Sequence, residues 1–144
     1  MVHIEDLGSH FDAPIDLVWK FIRSEDDHGA SHADRRNVQG TPDGPSSMRL
    51  TWEQNVQGHW VKVANRVTMF PPVAMLVDSL EGPLAGSKFL MYYRPNGART
   101  GVSVVGDFQS ATIPAAQLEP MVLASLESAF NDDNASLKRL AGAK

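Results

Sequence analysis

A chain of 144 residues with 42% hydrophobic and 21% charged side chains has the length of one domain and enough apolar content to bury a core, which excludes a disordered polypeptide. Its 13 Lys and Arg against 17 Asp and Glu leave a net charge of −4, so no basic field draws it to nucleic acid or anionic lipid. The absence of cysteine removes disulfides, thiol nucleophiles, zinc ribbons and cysteine-held iron–sulfur clusters. No apolar run approaches the roughly 18 residues of a membrane span, and Met1-Val-His-Ile-Glu-Asp6 shows no secretory signal. The expectation is a cytoplasmic protein, one domain over 1–144, with no nucleic-acid partner and no membrane span.

In chain order, Val2–Phe11 reads as a first strand. Asp12-Ala13-Pro14-Ile15 then starts a helix, with Asp12 placed to cap it and the proline tolerated in the first turn. Ile15, Val18, Trp19 and Ile22 share its buried face. Glu25–Ala33 reads as a second short helix, weakened by Gly29. Strand patterns recur over Met48–Gln54, His59–Phe70, Ala74–Leu80, Lys88–Arg94 and Gly101–Ser110, with another near Arg36–Gly40. Turn chemistry separates them, and Asn96-Gly97 is a strong hairpin signal.

Period-two alternation gives this sheet one apolar face. Met48, Leu50 and Trp52 share a side, as do Val61, Val63, Val67 and Met69, then Met75 and Val77, Phe89 and Met91, and Val102, Val104 and Phe108. Asn65, Ser79 and Tyr93 interrupt it. A last helix from Pro114 carries the stripe Leu118, Val122, Leu126, Ala129, position 133, Leu137 and Leu140, a helical period fit to cover that face. The class is α+β.

Two irregularities stand out. Asp133 lies in the middle of that apolar stripe, where a carboxylate is costly unless paired, hydrogen-bonded, bound to a cation or placed at a wet mouth; Asp132 beside it reads as solvated. Glu25, His28 and His32 follow at steps of three and four, which puts them on one face of the second helix. Two histidines four apart can share one metal ion with a carboxylate joining them; the same spacing also makes a plain polar rim. Asn65, Ser79 and Tyr93 can orient a ligand's hydroxyl or carbonyl, Tyr93 can act as an acid, and Trp19, Trp52 and Trp60 serve either as core or as cavity wall.

Three stretches carry a resemblance. Phe11-Asp-Ala-Pro-Ile-Asp-Leu-Val-Trp19-Lys-Phe-Ile22, Leu80-Glu-Gly-Pro-Leu-Ala-Gly86-Ser and Tyr93-Arg-Pro-Asn-Gly97-Ala-Arg-Thr100 are similar to the START/Bet v1-like (SRPBCC) superfamily, in its polyketide cyclase/dehydrase-like branch. Gly40-Thr-Pro-Asp-Gly44-Pro stands where the plant members carry a glycine-rich loop, which favours a microbial-type member. The resemblance implies a helix-grip fold, a curved antiparallel sheet wrapped around a long C-terminal helix, with two short helices after the first strand. It further implies a cavity that takes a hydrophobic lipid, polyketide or aromatic molecule.

On that basis Trp52, Asn65, Val67, Met75, Ser79, Met91, Tyr93, Val104 and Leu126 are the candidate ligand wall, and Asp133, His28 and Tyr93 the candidate catalytic groups. The ring-hydroxylating Rieske oxygenases have a helix-grip catalytic domain with two histidines and a later aspartate on iron. His28, His32 and Asp133 resemble that order, with the histidines one residue closer together; Glu25 joins them as a candidate ligand to a divalent metal. No cofactor is required by the sequence, and a homodimer is left open. Three functions compete: a carrier, a metal-free cyclase or dehydratase, and a metal-assisted enzyme.

Overall fold

The computed structural model describes residues 1–24, 28 and 31–142. Strand β1 (Val2–Phe11) is followed by helix α1 (Ile15–Ile22). Six strands come next: β2 (Arg35–Pro42), β3 (Ser47–Val56), β4 (His59–Phe70), β5 (Ala74–Glu81), β6 (Lys88–Asn96) and β7 (Arg99–Phe108). Helix α2 (Ala115–Gly142) closes the chain. The strands form one antiparallel sheet in the order β1-β7-β6-β5-β4-β3-β2, so consecutive strands from β2 onward are neighbours and β1 returns beside β7. The curved sheet and long closing helix make the helix-grip architecture.

The tight turns set the register. Val56 pairs with His59, leaving Gln57-Gly58 as a two-residue loop with both φ angles positive, 52° and 87°, the pattern of a type I′ hairpin. Asn96 pairs with Arg99, so the second loop is Gly97-Ala98 and not Asn96-Gly97. Gly97, at φ 63°, takes the first loop position, where a positive φ calls for glycine. The strand expected near Arg36–Gly40 is β2, at the sheet edge. The second short helix expected over 25–33 falls largely outside the described residues; within it, His28 is helical.

Asp12 does not cap α1. The N-cap is Pro14, without a side-chain hydrogen bond, and its carbonyl accepts from the Leu17 and Val18 N–H groups. Asp12 turns instead to α2: its N–H donates to Asn134 Oδ1 at 2.7 Å, and Asn134 Nδ2 donates to its carboxylate at 2.9 Å. Arg99 and Lys138 add ion pairs at 3.3 and 3.5 Å. The start of α1 is thereby pinned to the last third of α2.

The packed core lies under β1, β7 and part of β6. Val102, Val104 and Leu137 are fully inaccessible, and Phe108 and Trp19 nearly so. Trp19 meets Tyr93 edge-on at 5.1 Å, and its indole N–H donates to the Pro72 carbonyl at 2.9 Å. Leu50 and Leu126 are only half-buried, because the space in front of them is open.

Candidate functional site

That space is a cavity of about 670 Å³ between the sheet and the two helices, within the range of small-molecule sites. Strands β2 to β6 supply its wall, β7 supplies none of it, and α2 contributes Leu126, Phe130 and Asp133. Seven expected wall residues are there: Trp52, Asn65, Val67 and Met75 on β3 to β5, Met91 and Tyr93 on β6, and Leu126 on α2. Ser79 and Val104 are not. Val104 belongs to the solid core under β7. Ser79 lies at the far end of β5, where its N–H donates to the Ser87 carbonyl and its carbonyl accepts from Gly86. Trp19 is core, and Trp60 is exposed beneath the Arg36 guanidinium at 4.1 Å. Of six methionines in the chain, Met48, Met69, Met75 and Met91 face the cavity. Unbranched, polarisable thioethers tolerate many ligand shapes.

At the α2 side of the cavity the expected polar cluster assembles. Asp133 Oδ1 lies 3.5 Å from His28 Nε2 and 3.1 Å from His32 Nε2, and Ser31 Oγ donates to it at 2.8 Å. Burial by itself would raise the Asp133 carboxyl. Hydrogen bonds and charge from the two histidines outweigh it and hold the group well below the usual carboxylate range. The carboxylate in the apolar stripe is thus paired and hydrogen-bonded. Asp132, expected to be solvated, has its Oδ2 3.1 Å from His32 Nδ1, so His32 is held on both sides and is almost inaccessible. His28 is the more open ring and lines the cavity. Glu25 lies outside the described residues.

Tyr93 is buried, and among the described residues its hydroxyl reaches only the Met91 sulfur, at 3.9 Å. Burial first, and then the Asp133 charge, push its phenol above the ordinary value. The group stays neutral and can lend its O–H to a ligand.

Among the wall residues absent from the sequence-based candidates, one carries a buried charge. Arg35, at the start of β2, lines the cavity with its guanidinium over Trp52 at 4.9 Å. Burial lowers its pKa against the raising pull of Asp34, Asp133 and Asp132. Edge strand β2 does not alternate, so nothing in Arg35-Arg36 marks which arginine turns inward.

No family model matches the sequence, and no curated protein matches it either. Solved structures do match. The Zhui aromatase/cyclase from a Streptomyces species superposes with a TM-score of 0.72 at 17% identity, over 94% of this chain and 90% of that one. The di-domain aromatase/cyclase StfQ of the steffimycin biosynthetic pathway gives 0.77 at 12% identity, over 98% of this chain and 52% of that one. Ara h 8.0201 gives 0.72 at 10% identity, over 96% and 98%. The chain therefore has the helix-grip fold of these aromatase/cyclases, as the START/Bet v1-like resemblance of its sequence implies. Among the described residues no helix is long and apolar enough to cross a membrane.

Proposed function

We propose that this protein binds a largely apolar small molecule, of the lipid, polyketide or aromatic kind, in the cavity, and acts on it as a metal-free cyclase or dehydratase. The observation that carries the catalytic part is polarity inside the apolar wall. A pure carrier needs polar groups only at its rim, whereas here Asn65, Arg35, Tyr93 and the His28–Asp133 pair all face the cavity. An aldol-type ring closure needs a base for a proton next to a ketone and an acid for the departing hydroxyl. His28, paired with Asp133, is the group suited to carry both protons. His32 acts as a positioning residue, and the neutral Tyr93 hydroxyl supports a carbonyl oxygen. The likeness to the Zhui and StfQ aromatase/cyclases supports this reading through the fold.

The test combines binding and turnover. A hydrophobic reporter dye should bind the native protein and be displaced by fatty acids or polycyclic aromatics. Asp133→Asn should keep dye affinity within about twofold while conversion of a poly-β-ketone model substrate collapses. A native protein that ignores every such probe would remove the basis of this reading.

A metal-assisted reading rests on a separate observation. The ligand atoms of His28, His32 and Asp133 lie within 4.8 Å of one another, and ligands at 2.0–2.2 Å around a tetrahedral ion stand about 3.4 Å apart. A divalent ion held by these three would supply Lewis acidity. Metal analysis of the purified protein separates the two readings.

A further inference from the structure

Two residues on the cavity wall each carry a buried polar atom with no partner. Asn65 Oδ1 and Arg35 Nε are both buried without a hydrogen bond among the described residues. A buried polar atom left unpaired is costly, and a cationic donor more so. Asp34, Asp132 and Asp133 act on Arg35 only through their charge, and Asp133 is already engaged by His28, His32 and Ser31. The Trp52 face steadies the guanidinium and offers it no acceptor. Both orphans therefore point to what the cavity is built to receive.

Their places in the sheet define the shape of that molecule. Arg35 is in register with Gln54 of β3, and Asn65 with Leu50 of the same strand. Four residues of strand are about 13 Å, so the two groups sit at separate stations and one compact polar head does not serve both. Between the two stations the wall presents Trp52, and beyond Asn65 it continues apolar with Met48, Val67 and Met69.

Resting on the proposal that the cavity takes a hydrophobic ligand, we infer that this ligand is an elongated aromatic or polyketide-like acid. It places an anionic oxygen, a carboxylate or ionised phenol, on Arg35 and donates a hydroxyl to Asn65. A charge-assisted bond to guanidinium is stronger than a neutral one, so Arg35 anchors the molecule and Asn65 reads its orientation.

Three probes test this by displacement of the reporter dye: anthracene carboxylate, its methyl ester, and the same acid carrying a hydroxyl on the far ring. On the native protein the acid should bind about tenfold or more tighter than the ester, and the hydroxyl should add roughly another three- to tenfold. Arg35→Met should erase the preference for acid over ester while ester affinity holds, and Asn65→Leu should erase only the hydroxyl's gain. Equal binding of acid and ester to the native protein would overturn the inference, and that comparison needs no variant to fold. If neither acid, ester nor dye binds, the hydrophobic-ligand reading itself falls, a different result from equal binding.

Discussion

The two halves of this sheet were written with the same alternation and ended differently. Under β1 and β7 the apolar face is closed: Val102, Val104 and Phe108 meet the helices with no space left. Under β2 to β5 and part of β6 the same face stands open around about 670 Å³. Side-chain character separates them. The closed half uses β-branched and aromatic residues with few rotamers, which interlock, whereas the open half adds four methionines and the half-buried Leu50 to its valines and Trp52, with Asn65 and Arg35 among them. One half supplies stability, and the other keeps space and unpaired polar groups at a cost in stability.

Truncation should break the two halves unequally, and this is the largest expected effect. Phe108→Ala opens a void in the closed half and should cost about 3–5 kcal/mol. Leu126→Ala removes a side chain that already faces space and should cost no more than about 2 kcal/mol. Chemical denaturation of both variants gives the contrast directly; equal losses would mean that the open half is packed after all.

Enlargement should sharpen the contrast in the opposite sense. Val104→Phe overpacks the closed half and should cost about 1–3 kcal/mol. Leu50→Phe grows into the cavity, so stability should change by less than about 1 kcal/mol while dye affinity falls. A Leu50→Phe protein that binds dye as the native one does would place the dye elsewhere.

A smaller effect appears at high pH. The Tyr93 phenol is raised in the folded state by burial and by Asp133, so the unfolded chain, ionising near its ordinary value of about 10, loses that proton first. The contribution is complete below about pH 10, and stability declines as pH rises beyond it. Tyrosinate absorbance from Tyr93 should therefore appear only together with unfolding, and Tyr93→Phe should flatten the alkaline loss of stability.

Much of this was legible in the sequence, for physical reasons. Alternation and turn residues located the strands and their inward faces because a one-residue slip would expose the entire apolar set. Asp133 stood out because a carboxylate in an apolar stripe needs a partner, and His28 and His32 lie where the structure supplies them. Local chemistry misled at Asp12, where a long-range contact with Asn134 displaced the cap. At Asn96-Gly97 the signalled hairpin is present, and pairing sets its loop one residue on, at Gly97-Ala98. Val104 was mistaken for cavity wall because alternation tells which face a residue takes and not how closely the helix approaches that face. Arg35 could not be seen, since only tertiary placement brings this edge-strand cation over Trp52.

The methionines offer the most direct test of the central claim that the open half is a ligand site. With methyl-labelled methionine, the resonances of Met48, Met69, Met75 and Met91, which line the cavity, should shift saturably as anthracene carboxylate is added. Those of Met1 and Met121, both exposed, should stay in place. Shifts confined to Met1 and Met121, or a titration in which the four cavity methyls do not move, would contradict the account.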